Sequence, residues 1–132
     1  MTKIIRTVPI ALVTMLTLMF SASVSADNWK RGRIYYKMIC TECHKEAGKT
    51  ISPSEMTIAE WKAYLKADKH DKTGKSNNSL KYYISQKYRE SVKDNNRAAQ
   101  KLLDVSNDDL FSDIESFLLK GAKDGDQPAR CS

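Results

Sequence analysis

Apolar positions along the chain recur at helical spacing, and no stretch alternates with a period of two for long enough to make a strand. Four helical segments follow from that pattern. The first runs from about Trp29 to Cys40, with Ile34, Tyr35, Met38 and Ile39 at helical spacing. The second follows Pro53: Thr57 and Glu60 have the spacing of a capping box, and Ile58, Trp61, Tyr64 and Leu65 share a face before an end near Asp68. The third spans about Leu80 to Leu103, with Leu80, Tyr83, Ile84 and Tyr88 on one side and a break signal at Asp94-Asn95-Asn96. The fourth is capped by Ser106 or Asn107, carries Asp108, Asp109 and Asp113 early and ends at Gly121, as the helix dipole and a glycine C-cap favour. Its apolar stripe is Leu110, Phe111, Ile114, Phe117 and Leu118. The expected fold class is all-α. Between the second and third segments, Lys69 to Asn78 is a polar loop with too few apolar residues to hold itself in place, so its order depends on some other contact.

The N-terminus changes the size of the problem. Lys3 and Arg6 precede an apolar run from Pro9 to Phe20, and Ser21-Ala22-Ser23-Val24-Ser25-Ala26 follows, which is the order of regions in a secretory signal. The apolar run is short of the roughly 20 residues that span a bilayer. Cleavage is expected after Ala26, giving a signal peptide at 1–26, one domain at 27–132, export to the periplasm or beyond, and no membrane-spanning helix. With 132 residues in all, 41% of them hydrophobic and 29% charged, the remainder is close to globular composition and large enough for one small domain, which excludes a multi-domain enzyme. Charge is uneven: 62–101 carries eleven Lys and Arg against four Asp and Glu, whereas 102–132 carries three against seven. The basic middle is either a patch that steers an acidic partner or a set of solvated helix faces. Nucleic acid is not an expected partner, since no binding motif is present and the chain is exported.

Three cysteines are too few, and odd in number, for a disulfide scaffold. Two of them stand in Cys40-Thr41-Glu42-Cys43-His44, the Cys-x-x-Cys-His signature of covalent c-type haem attachment. Two intervening residues let both sulfurs reach the porphyrin's two vinyl groups, and the adjacent imidazole of His44 then lies under the iron as the proximal ligand. The other N–H of such an imidazole seeks an acceptor that fixes the ring. The Pro53 carbonyl is one candidate; alternatively Pro53 only precedes a helix. A redox dithiol of the thioredoxin kind places its Cys-x-x-Cys at a helix start after a strand, whereas here the pair ends a helix. A structural zinc site needs four ligands, and His70 and Cys131 stand at distances matching no common zinc spacing.

At these residues the chain resembles the small monohaem cytochromes c of the class I type. Gly32-Arg33-Ile34-Tyr35-Tyr36-Lys37-Met38-Ile39-Cys40 is similar to that family's Gly-x-x-x-aromatic-x-x-x-Cys lead-in, and Ile114-Glu115-Ser116-Phe117-Leu118 is similar to its C-terminal helix. The resemblance implies that these two helices cross with Gly32 receiving the ring of Phe117, in a small helical domain wrapped around one covalent haem c. It covers the two ends of the domain; the Lys-rich middle and the tail from Asp124 depart from it. So does the sixth iron ligand, which the family usually takes from a methionine before the last helix: no methionine lies between Thr57 and Ser132. The candidates for the distal position are His70, in the loop that lacks its own packing, Cys131, on a tail long enough to fold back, and, less favoured for its short path around the haem, Met56. Trp61, Tyr64, Tyr83 and Phe117 are candidates either for the pocket wall or for plain core.

The expected function is exported one-electron transfer between a redox donor and acceptor, without enzymatic activity. The alternative is a haem-based gas sensor or ligand-binding protein whose distal site is open or held by a displaceable group. A docking subunit of a larger respiratory complex shares the carrier chemistry and differs in its partners.

Overall fold

A computed structural model describes residues 27–70 and 77–128. The expected signal segment at 1–26 and the candidate ligand Cys131 lie outside the described residues. Every regular element among those residues is helical, as the periodicity requires.

Helix α1 (Trp29–Tyr35) is capped by the Asn28 side chain, which accepts from the Arg31 N–H. The helix does not end at Cys40. It widens into a π-helical segment, Tyr36–Cys40, in which the Thr41 N–H reaches back to the Tyr36 carbonyl, and it resumes as α2 (Thr41–Glu46). The buried face shares Tyr35 and Ile39 with the expected one but not Ile34 and Met38. Gly32, Tyr35, Tyr36 and Ile39 are buried, while Ile34 and Met38 are 52% and 45% exposed. The reason is Gly32: the smallest residue faces the neighbouring helix, and the inward face follows from it at i+3, i+4 and i+7.

A short 3₁₀ turn, Pro53–Glu55, carries its own capping box from Ser52 and Glu55. Helix α3 (Ile58–Ala67) starts with the reciprocal Thr57–Glu60 box and ends at Asp68 in the left-handed conformation, φ 51°. The expected third segment breaks at Asp94-Asn95-Asn96, as that signal indicates, and also at Ser85, which gives three helices: α4 (Leu80–Ile84), α5 (Gln86–Val92) and α6 (Arg97–Lys101). Ser85 and Asn96 adopt extended backbone and each caps the helix that follows, which turns the chain twice. Arg89, fully buried, seals this region by donating to the carbonyls of Leu102 and Val105 and to Asn107 Oδ1. Those carbonyls follow the end of α6, where helical partners run out. Helix α7 (Asn107–Gly121) is capped by Ser106, and the cap at its other end is Ala122, one residue beyond the glycine.

Helices α1 and α7 make the most extensive contact of any pair in the fold. Their backbones touch at Gly32, where a Cβ would stand 2.0 Å from the Asp113 carbonyl oxygen and 2.8 Å from the Ile114 nitrogen. The crossing is the one the sequence resemblance implies, with a different register: Phe117 rests on Tyr36, one turn further along both helices, with ring centres 5.3 Å apart. The buried Asp113 carboxylate accepts from the Asn28 N–H at 2.6 Å and from Arg31 Nε, which pins the start of α1 to α7. Among the described residues no helix is long and apolar enough to cross a membrane.

Gly32→Ala tests this crossing. The obstacle is backbone, which yields only if the helices separate, so we expect a loss of about 1–3 kcal/mol and a melting temperature lower by roughly 5 °C or more. An unchanged or raised melting temperature, as alanine's better helix propensity alone would produce, contradicts it.

Candidate functional site

The crossing leaves a cavity of about 590 Å³ on one side of α7, floored by Ile114 and Leu118. Cys40, Cys43 and His44 all line it. They do so because the π-helical segment delivers Cys40 at its end and α2 carries Cys43 and His44 one turn on. The pair of thiols therefore lies within a continuous helical run and not beyond its end.

The opposite wall comes from α3, α4 and the start of the loop between them. Trp61 is buried and donates its indole N–H to the Pro53 carbonyl at 2.7 Å. That carbonyl, a candidate acceptor for the His44 ring, is bonded to Trp61, and no hydrogen bond joins it to His44. The Tyr64 hydroxyl and His70 Nδ1 share a hydrogen bond of 2.6 Å, and the Tyr83 ring stands 5.4 Å from the His70 ring. Of the four aromatic candidates for the wall, Trp61, Tyr64 and Tyr83 line the cavity; Phe117 packs on Tyr36 instead. Tyr36 and Tyr88, which were not among those four candidates, also line it; Tyr36 is the aromatic of the Gly-x-x-x-aromatic lead-in, although the expected apolar face of α1 left it out.

The His70 loop is tied at both ends by polar contacts rather than by apolar packing. The His70 N–H donates to the Asn78 carbonyl at 2.6 Å and the Tyr83 hydroxyl to the Asn77 carbonyl at 3.0 Å. Asp68 completes the tie: its carboxylate accepts from Ser79 Oγ at 2.7 Å and from the Lys81 N–H at 2.8 Å, at the N-terminus of α4. The left-handed turn at Asp68 is what aims the carboxylate there.

The result is two imidazoles facing one cavity, with ring centres 5.7 Å apart and planes at 62°. A metal–imidazole bond is about 2.0–2.1 Å, so two imidazoles on opposite sides of one metal have centres roughly 6 Å apart. His44 and His70 stand at that separation. Burial first, and then the Lys49 charge, lower the His44 pKa, which favours the neutral form that ligates metal. Met56 also lines the cavity, and its backbone carbonyl accepts from the Lys123 N–H at 3.0 Å.

Burial disfavours the thiolate form of Cys40. Burial, with the neighbouring Cys43, pushes the Cys40 thiol up to about 12, whereas an exchange-active thiol is held well below its ordinary range. Among the described residues no group of three or more His, Cys, Asp or Glu side chains is gathered as a metal site. The residues present fit a haem instead: two cysteines and a histidine on one helical run, a second histidine at trans-ligand distance, apolar walls, and one unsatisfied polar group. That group is the Tyr36 hydroxyl, buried in the cavity wall with no hydrogen-bond partner among the described residues. Burial also raises its pKa, so it stays a donor.

No protein-family model, curated protein or solved structure matches the chain. The functional reading therefore rests on its own residues.

Left bare, a cavity of about 590 Å³ with largely apolar walls leaves those side chains without packing partners on one side. We expect the haem-free chain to show no cooperative thermal transition by circular dichroism; a sharp transition contradicts the idea that a bound group completes this core. In the haem-loaded protein, Trp61→Phe keeps an aromatic ring but removes the bond to Pro53, leaving a buried carbonyl unpaired. A loss of about 1–3 kcal/mol in denaturant unfolding is expected.

Proposed function

We propose that this chain is an exported monohaem cytochrome c that carries one electron at a time between redox proteins. The observation that carries the reading is the placement of His44, beside Cys40 and Cys43, and His70 at 5.7 Å across a single cavity. The reading assigns Cys40 and Cys43 to the two thioether links, His44 to the proximal iron position and His70 to the distal one. Haem c, when bound there, supplies a one-electron couple.

The residues around it perform three tasks. Tyr36, Ile39, Trp61, Ile84, Ile114 and Leu118 exclude water from the cavity, which keeps its polarity low. The tied ends of the His70 loop hold the distal imidazole in place in both oxidation states, so little has to move as charge changes. Cys40 and Cys43 line the cavity side by side on one helical run, and that edge is the one at which a partner protein would approach in this reading. The chain turns over no substrate in this account; donor and acceptor meet it by docking, and neither nucleic acid nor a membrane span enters.

The choice of His70 favours the carrier over the gas sensor, because a second strong ligand leaves no open iron position, and paired histidines lower the reduction potential relative to His/Met. His70→Ala tests the assignment. Haem remains covalently attached, as the mass of the denatured protein shows, the ferric spectrum moves from low to high spin, and carbon monoxide binds the ferrous form rapidly. A variant whose spectrum stays unchanged removes His70 from the iron.

A further inference from the structure

We propose that Tyr64 is a positioning residue for the distal ligand: its hydroxyl, 2.6 Å from His70 Nδ1, holds that imidazole over the cavity and sets its strength as a ligand. The inference rests on the haem reading above and adds a residue and a means of tuning that the attachment motif does not contain.

Tyr64 is itself held firmly. It lies on α3, which is boxed at its start by Thr57 and Glu60 and closed at its end by Asp68. One turn earlier on the same helix Trp61 is anchored to the Pro53 carbonyl, and the Trp61 and Tyr64 rings meet edge to face with centres 5.9 Å apart. The phenol therefore presents its oxygen from a rigid support. On the other flank of His70 the Tyr83 ring stands at 5.4 Å, and beneath it the His70 N–H is bonded to Asn78. Side chain and backbone of His70 are both oriented by the protein.

The chemistry follows from which nitrogen is engaged. An imidazole held at Nδ1 binds metal through Nε2, and its Nδ1–H then donates to the tyrosine oxygen. Drawing that proton away makes the ring a stronger electron donor, which favours the ferric state and lowers the reduction potential. Without the hydroxyl the ring would lose that acceptor and become less basic, so ferrous iron would hold it less well. Tyr64 thus governs two quantities at once: the potential, and how readily an outside ligand displaces His70.

Tyr64→Phe in the exported, haem-loaded protein is the test, with His70→Ala beside it. Expected are an unchanged haem content, a ferric spectrum that is still low spin, a reduction potential above that of the unmodified protein, and ferrous carbon monoxide binding at least tenfold faster. If Tyr64→Phe lowers only the melting temperature, with potential and carbon monoxide binding unmoved, while His70→Ala becomes high spin, the positioning role is overturned and the haem reading stands. If His70→Ala stays low spin, His70 is not the ligand, and the ligand assignment and the role of Tyr64 fall together.

Discussion

The contact on which the structure depends is the meeting of α1 and α7 backbones at Gly32. A side chain of any size at that position would collide with the Asp113 carbonyl, so the two helices can cross closely only there. Everything functional is measured from that point. The inward face of α1 starts at Gly32, passes Tyr35, Tyr36 and Ile39, and arrives at Cys40; α7 offers Ile114 and Leu118 as the cavity floor. Asp113 locks the register from the polar side, through Arg31 and the Asn28 N–H, so the crossing is fixed by shape and by charge together.

From that frame the π-helical segment does the local work. One wider turn between Tyr36 and Cys40 shifts the residues beyond it relative to a regular helix, and both thiols and His44 come to face the cavity. The remaining wall is built of helices too short to be stable alone, α4, α5 and α6, which rely on caps and on the buried guanidinium of Arg89. A domain this small, with so large an internal space, is consistent with a core that a cofactor completes.

Much of this was legible in the residues. Helical periodicity is a strong signal, and the all-α class follows from it; the Thr57–Glu60 box and the Ser106 cap follow from residue type and spacing, and the α1/α7 pairing only from the family resemblance. The Cys40-Thr41-Glu42-Cys43-His44 spacing stands out in the sequence because the haem reading needs two cysteines and a histidine at fixed positions. What was not legible depends on tertiary context. Ile34 and Met38 look as apolar as Tyr35 and Ile39, and only the position of Gly32 at the crossing decides that they face outward. Ser85 within an apolar run is a weak break signal, yet it ends one helix and caps the next. The tie between the described ends of the His70 loop comes from Asp68, whose left-handed turn no spacing rule predicts. Tyr64 reads as one aromatic among several until its hydroxyl is seen beside His70.

The account's central claim is that one iron is held between His44 and His70. The most direct measurement is the near-infrared absorption spectrum of the exported, purified ferric protein, where charge-transfer bands differ for histidine, methionine and thiolate opposite a proximal histidine. The account predicts a six-coordinate low-spin centre with the band of two nitrogen ligands. A methionine or thiolate band, or a five-coordinate high-spin spectrum, contradicts it.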